Sequence, residues 1–387
     1  MLKPHLTILA LCLFLCTCVS AQNILTGRIL DSLTSEPIPF ATVYLDGTSI
    51  GETTGDDGTF SLKGMRLPAT LVVSHLAYQT EYIELVKPSS LGDIILSPRE
   101  ATIYGVEIRD QNLRGKTLAE FTRLLLGQDE WAVGSSIRND EVLGFDRDYT
   151  EKTIQVRNDN MRQRLEKMNR SVSRWNKDKS EYTYGKPTNL KAKSRGILKV
   201  HLPHLGYSLR MDLNTFLSDY KTGYTSYLGT YFFEEDTKPT VGQRRNRERA
   251  YYGSGMHFAR ALLSGTLEEN GFQVFTISKD EQGKRENVAE VDLGASLVKS
   301  GNGTNTLVGL EGREFAILYY ADGRSHPLPK NKWRRNKPIQ SRVLAQSNKC
   351  VIYKGGIFGD TNLVFNGNIG SRSLAWALPV DFVLETE

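Results

Sequence analysis

The sequence predicts a mainly β protein with an α+β C-terminal part. Three observations carry this. Short runs of β-branched and aromatic residues, separated by turn signals, fill residues 24–97 and leave no room for crossover helices. Alternating, Tyr-rich stretches recur between residues 207 and 233. A helical period over residues 254–268 is followed by Gly271 and a strand-like run to Ile277.

The first region reads as strands at 24–31, 41–45, 52–54, 59–62, 70–74, 82–86 and 91–96. Asp56-Asp57-Gly58 favours a tight turn, because Asp tolerates left-handed geometry and Gly accepts positive φ. That turn predicts pairing of Glu52–Thr54 with Thr59–Leu62. Pro37 and Pro39 restrict the chain at a strand entrance. Phe60, Val43 and Tyr78 are expected to fill or rim a core. The whole reads as an antiparallel β-sandwich.

These residues carry a resemblance. Gly27-Arg28-Ile29-Leu30-Asp31, Pro37 to Val43, Thr54 to Phe60 and Ala77-Tyr78 follow one another in a recurrent order. The order resembles the carboxypeptidase regulatory-like domain of exported Bacteroidota proteins, where Gly is commoner than Ala before the Tyr. The resemblance implies a transthyretin-like sandwich that is an accessory unit with no catalytic zinc site. Two later stretches are similar to segments of the same proteins: Tyr251 to Leu262 with Gly271-Phe272, and Gly370 to Phe382, especially Arg372, Leu378, Pro379 and Asp381, where Phe382 replaces the usual Tyr. No chemistry is implied for either.

Residues 1–21 carry Lys3, an apolar run from Leu6 to Val19, and the small-residue end Val19-Ser20-Ala21. They read as a cleaved signal peptide with Gln22 as the new terminus. An uncleaved anchor and a lipoprotein using Leu15 to Cys18 are the alternatives. Cleavage removes Cys12, Cys16 and Cys18, so the mature chain keeps Cys350 and forms no internal disulfide. Cys350, flanked by Val351-Ile352-Tyr353, reads as a buried small hydrophobe.

The chain has 387 residues, 39% hydrophobic and 24% charged, which excludes wholesale disorder and a polytopic membrane protein. Its formal charge of +5, or +4 once Lys3 is removed with the leader, is near balance and implies no obligate nucleic-acid or membrane partner; no membrane span is expected in the mature chain. Basic residues cluster at 157–179, 244–249 and 330–337, each read as a solvated face or loop.

Domains are expected at 22–98 (sandwich), 99–132 (linker and short helix) and 133–387 (α+β, function unknown). Ile103–Ile108 has strand character. Thr117 is positioned to cap the short helix, with Leu118, Phe121, Leu124 and Leu125 on its apolar face and Trp131 packed against it. Residues 153–156 read as a strand. Met161, Leu165 and Met168 suggest an amphipathic helix, and residues 176–196 look exposed. Tyr220, Tyr224, Tyr227, Tyr231, Phe232 and Phe233 read as packing aromatics with glycan stacking as the alternative. Ser254 is expected to cap a helix running to Glu268, with Gly271 as its stop.

Tests for chemistry are negative. The histidines outside the leader are His75, His201, His204, His257 and His326, and none begins a zinc-binding motif. His201-Leu202-Pro203-His204 is expected to be a loop with two exposed imidazoles. Asp56 and Asp57 lack the alternating oxygens of a calcium loop. Gly253-Ser254-Gly255 is no nucleophile elbow, and no orienting acid follows His257. No catalytic, metal or cofactor residue is therefore assigned. Clustering of His201, His204, His257, Asp212 and Glu268 would favour a hydrolase. The expected function is a noncatalytic cell-envelope binding or structural protein contacting protein or glycan, in the periplasm, at the outer membrane or secreted. The alternatives are an envelope hydrolase acting on peptide or carbohydrate, and an accessory subunit of an envelope transport assembly.

Overall fold

The computed structural model describes residues 24–87, 90–99, 111–167, 173–279, 282, 285–300, 304–310, 312–359 and 362–384. The proposed leader and the strand character at Ile103–Ile108 lie outside them. The described residues fall into two compact units: one runs to Leu45 and resumes over Ile50–Arg99, and the other comprises Asp46–Ser49 and the residues beyond 99.

The first unit is a sandwich of β1 (Ile24–Asp31), β2 (Thr42–Leu45), β3 (Gly51–Thr53), β4 (Thr59–Lys63), β5 (Ala69–Ser74), β6 (Glu81–Leu85) and β7 (Asp93–Leu96). One sheet has the order β4-β1-β7, the other β3-β2-β5-β6. Alternation sends Leu25 and Ile29, Phe60 and Leu62, and Leu71 and Val73 into one core. All pairs are antiparallel except β1 with β7, which is parallel. The expected pairing of Glu52–Thr54 with Thr59–Leu62 is not made. Instead β3 pairs with β2 and β4 with β1, so the Asp56-Asp57-Gly58 turn crosses between sheets.

The recurrent residues explain themselves physically. Thr54 is buried, and its hydroxyl accepts from Ala41 N (2.9 Å) and donates to Ile38 O (2.8 Å), which ties down the Pro37–Val43 entrance. The Tyr78 hydroxyl donates to Asp31 Oδ2 at 2.5 Å, while Asp31 Oδ1 accepts from Leu33 N and Thr34 N. Gly27 faces Phe60 across the strands, and a Cβ there would lie 2.7 Å from the Phe60 ring.

The second unit begins with α1 (Gln111–Leu126), whose Phe121, Leu125 and Leu126 enter the core of a six-stranded sheet. Thr117 is not its cap: the helix starts six residues earlier and Thr117 is buried within it. Trp131 packs into the same core. The chain continues through β8 (Ser136–Ile137), β9 (Leu143–Asp146) and an excursion of β10 (Tyr149–Gln155), α2 (Asp159–Lys167), β11 (Ser173–Trp175) and β12 (Glu181–Pro187). Of the expected helix face, Leu165 is buried; Met168 lies outside the described residues. The chain returns with β13 (Asn189–Ser194), β14 (Leu198–Leu202), β15 (Tyr207–Asp219) and β16 (Thr225–Glu235).

Residues 176–196 are therefore not simply an exposed stretch. β13 lies between β15 and β9, with Leu190 and Ala192 buried and Lys191 and Lys193 turned away. The long β15 pairs with β14 along its first half, β13 along its second and β16 along its other edge.

Two helices follow, α3 (Val241–Tyr251) and α4 (Gly255–Ser264). The first is absent from the sequence-based reading. The second ends at Gly265 in the left-handed region (φ +73°), before the expected stop at Gly271. Next come β17 (Phe272–Lys279), β18 (Arg285–Glu290), β19 (Leu297–Lys299), β20 (Thr304–Val308), β21 (Glu314–Tyr319), β22 (Ile339–Ala345), β23 (Lys349–Tyr353), β24 (Ile357–Phe358), β25 (Leu363–Gly367) and the single turn α5 (Asn368–Ser371). They form sheets ordered β18-β17-β21-β22-β25 and β19-β20-β23-β24. Phe258 and Leu262 of α4 join Phe272, Ile317, Val343 and the fully buried Cys350 in one core.

Candidate functional site

Two later segments, residues 251–272 and 372–382, meet in space. Thr240 opens α3 with a reciprocal bond pair: its hydroxyl accepts from Gln243 N, and the Gln243 side chain accepts from Thr240 N. Gly253 turns the chain at φ +69°, and a Cβ on it would stand 2.7 Å from the Tyr319 ring. Ser254 then caps α4, its hydroxyl accepting from His257 N (3.1 Å).

His257 is 1% exposed. Its Nδ1 accepts from Gly253 N at 3.1 Å, so its proton sits on Nε2 and is donated to Asn270 Oδ1 at 3.0 Å. The rings of Tyr251, Tyr252, Phe272 and Tyr319 surround it with centroids 4.9–5.8 Å away. Burial pushes its pKa down to about 4, with the nearby Arg372 and Arg260 charges acting in the same direction against the Asn270 bond.

The closing segment is held by two arginines. Arg372 donates to Ala250 O and to Tyr252 O (2.7 Å), the open carbonyls at the C-terminal end of α3. Burial lowers its pKa to about 10. Arg260 of α4 donates to Gly355 O (2.9 Å), Phe382 O (2.9 Å) and Val380 O (2.8 Å). The hydroxyl of Ser254 is engaged as a cap, and His257 is oriented by an amide rather than a carboxylate. A neutral imidazole with both nitrogens bonded inside an aromatic cage is a packing hub. It has no free lone pair with which to take a proton from a nucleophile.

The other residues considered do not converge. His201 Nδ1 lies 3.4 Å from Asp236, whereas His204 Nε2 lies 2.7 Å from Val133 O. Both are half-buried, which corrects the expected exposed loop: His201 belongs to β14, and His204 lies beside Trp131. Glu268 pairs with Lys330 at 2.6 Å. Among the described residues no group of three His, Cys, Asp or Glu could hold a metal ion.

The basic cluster at 244–249 is a helix. Its Arg247 is buried, stacked 3.9 Å from the Tyr207 ring centre and bonded to Glu235 and Leu205 O. The cluster at 330–337 folds over Trp333, which stacks on Tyr320 with ring centres 4.5 Å apart. Of the Tyr-rich run, Phe233, Tyr227 and Tyr231 pack on the central core, whereas Tyr220 and Tyr224 lie partly exposed at a hairpin tip. There Tyr220 donates to Glu120 (2.6 Å) and is pushed up to about 12, chiefly by burial and then by that bond.

Among the described residues, open depressions on the second unit include two with polar linings. One, of about 190 Å³, is lined by Tyr207, Glu235, Arg244, Arg247, Glu248 and Phe382. The other, of about 620 Å³, is lined by Thr276, Ser278, Glu290, Arg313, Glu314 and Leu344. In the first, Arg247 is already stacked on Tyr207 and paired with Glu235. The capping box at Thr240–Gln243 was the signal in the sequence that could have revealed α3 and hence this arginine.

On the first unit, large apolar side chains stand out from one end. Leu33 is 80% exposed, Phe40 69% and Leu76 90%. The Asp31–Tyr78 bond, together with the pairing of Thr42 with Ser74, brings their loops to the same end. Phe40 also holds φ +59°, a costly geometry for a bulky residue.

Residues 25–108 match the CarboxypepD_reg-like domain family. The noncatalytic, transthyretin-like domain of that family agrees with the two-sheet sandwich. No curated protein matches the chain. Two solved structures are mutants of a type II cohesin–X-dockerin complex from Acetivibrio cellulolyticus. They are 22% and 23% identical over 19% of this chain, with TM-scores of 0.18 and 0.17. The match spans 57% and 56% of those chains. A third, a Bacteroides fragilis protein of unknown function thought to be membrane-associated, is 12% identical over 55% of this chain and 95% of its own, with a TM-score of 0.17. Among the described residues no helix is long and apolar enough to cross a membrane.

Proposed function

We propose that this chain is an exported, noncatalytic binding protein of the cell envelope, of the kind found in Bacteroidota, whose sandwich loops contact an envelope protein or glycan. The corresponding division is a leader at 1–21, a sandwich at 22–98, a connecting segment at 99–132 whose helix packs into the second unit, and an α+β domain at 133–387. The sandwich spends its recurrent polar residues on its own fold, through Thr54 and the Asp31–Tyr78 pair. The observation that carries the reading is what it leaves outside: Leu33, Phe40 and Leu76 presented together at one end.

The test is photocrosslinking in intact cells from positions 33, 40 and 76, with fractionation and sequencing of the mature N-terminus. The expected result is a chain beginning at Gln22 in the envelope fraction, crosslinked to one discrete component. Cytosolic protein retaining Met1, or turnover of peptide or oligosaccharide that a single substitution abolishes, refutes the reading.

A further inference from the structure

The charge of this chain is unevenly placed. Residues 149–187, which form the excursion β10-α2-β11-β12, contain ten Lys and Arg against five Asp and Glu. Their excess alone equals the formal +5 of all 387 residues. The five acids are occupied. Glu151 pairs with Arg174 (2.8 Å), Asp159 with Arg162 (2.9 Å) and Glu166 with Lys179 (3.1 Å). Asp178 accepts from Ser180 Oγ and Glu181 from Gln155 Nε2. Lys152, Arg157, Arg164, Lys167, Lys177 and Lys186 make no ion pair among the described residues and are exposed.

Strand register places part of this charge beside aromatic rings. Lys152 stands opposite Tyr184, Thr150 opposite Lys186 and Ile154 opposite Tyr182 on β10 and β12. Ser173 stands opposite Tyr184 and Trp175 opposite Tyr182 on β11. Residues directly opposite share a face, as do those two apart. One face of the sheet therefore carries Lys152, Lys186, Tyr184, Tyr182 and Trp175. The rings form a row, with Trp175 and Tyr182 centres 4.8 Å apart and Tyr182 and Tyr184 near-parallel at 6.0 Å. Tyr182 is buried, and Tyr184 is half-buried between the two lysine positions.

We propose that this face binds an acidic polysaccharide, its lysines meeting the carboxylates and the Tyr184 end of the aromatic row meeting the apolar face of a sugar ring. The charge calls for a polyanion, and the ring beside it calls for one with flat apolar faces along its length. A lipid surface fits less well. Among the described residues of 149–187, Tyr149 is the one large apolar side chain that is well exposed, so this excursion offers no apolar wedge to enter a bilayer. The preference for a glycan over a nucleic acid rests on the envelope reading above, but the surface is distinct from the sandwich loops.

The experiment titrates the full-length protein with polygalacturonate, neutral dextran, phosphatidylglycerol-containing vesicles and single-stranded DNA. It compares wild type, Lys152→Glu/Lys186→Glu and a control of equal charge change, Lys332→Glu/Arg334→Glu. All four positions are exposed, so both variants are expected to fold, which thermal unfolding verifies. The expected result is saturable, salt-sensitive binding of polygalacturonate and none of dextran. The first variant should bind about tenfold more weakly and the control within about threefold of wild type. The proposal is overturned by no saturable binding to polygalacturonate, equal loss in both variants, or tighter binding to vesicles or DNA. Depolymerisation of the bound polymer would defeat the noncatalytic reading and leave this face standing. Loss of polymer binding alongside intact crosslinks from the sandwich loops would do the reverse.

Discussion

Gly27→Ala adds one methyl group to the sandwich, and its cost can be worked from the structure. An ideal Cβ at position 27 lies 2.7 and 2.8 Å from two Phe60 ring carbons and 3.2 Å from Gly92 O. The ring cannot simply swing away, because Phe60 is buried in the core shared by Leu25, Ile29 and Leu62. Overpacking of this kind costs about 1–3 kcal/mol. Alanine recovers roughly 0.5–1 kcal/mol by restricting the unfolded chain. The net expectation is about 0.5–2 kcal/mol lost, a factor of about 2–30 in the opening equilibrium. All four tryptophans lie at 131, 175, 333 and 376, so tryptophan fluorescence follows the second unit and not the sandwich. Hydrogen exchange on peptides covering β1 and β4 is the suitable assay, and exchange there should accelerate by that factor. In a Phe60→Leu background the methyl has room, and the same substitution should cost at least about 1 kcal/mol less. A Gly27→Ala protein with unchanged exchange, or strict additivity with Phe60→Leu, would refute the argument that the ring dictates the glycine.

Three further outcomes are expected. Thr54→Val leaves Ala41 N–H and Ile38 C=O without their buried partner and should destabilise the sandwich by about 2–4 kcal/mol, read by the same exchange experiment. The folded pKa of His257, about 4, lies below the unfolded value of about 6.5. Below pH 6.5 the unfolded chain binds the proton more readily. The contribution of His257 is thus complete above pH 6.5 and is lost as pH falls towards 4, by about 3 kcal/mol. Urea midpoints followed by tryptophan fluorescence at pH 7.5, 5.5 and 4.5 should show the fall, and His257→Gln should flatten it; parallel profiles would contradict the assignment. Arg260→Met removes the donors to Gly355, Val380 and Phe382 and should open the closing segment to proteolysis near residues 377–383 while β17 and β21 keep their exchange protection.

Much of the fold was legible because its signals are local. Alternation marks β15, and the cap at Ser254 and the period of α4 are written in consecutive residues. Three misreadings have a common origin in long-range pairing. The turn at Asp56-Asp57-Gly58 suggested a hairpin, but the hydrogen bonds of β3 go to β2. The polar residues around Leu190 and Ala192 suggested exposure, yet β13 is paired on both edges. The arginine-rich run at 244–249 suggested solvent, although Arg247 is sheltered by Tyr207 and by carbonyls contributed from residues 205 and 206.

The candidate site divides the same way. Its residue types were readable: Ser254, His257 and Arg372 could each be picked out in advance. Their roles were not, because a histidine's chemistry depends on what its two nitrogens touch. For His257 those partners are Gly253 and Asn270.

By itself, then, the sequence determined the strand-rich class, the sandwich, the cap of α4 and the burial of Cys350. These follow from backbone geometry and from polarity along a few neighbouring residues. Only the tertiary structure decided which strands pair, that two distant segments meet around one neutral imidazole, and that exposed lysines and a row of aromatic rings share one sheet face. Such facts depend on which residues become neighbours when the chain closes, and spacing along the chain does not encode that.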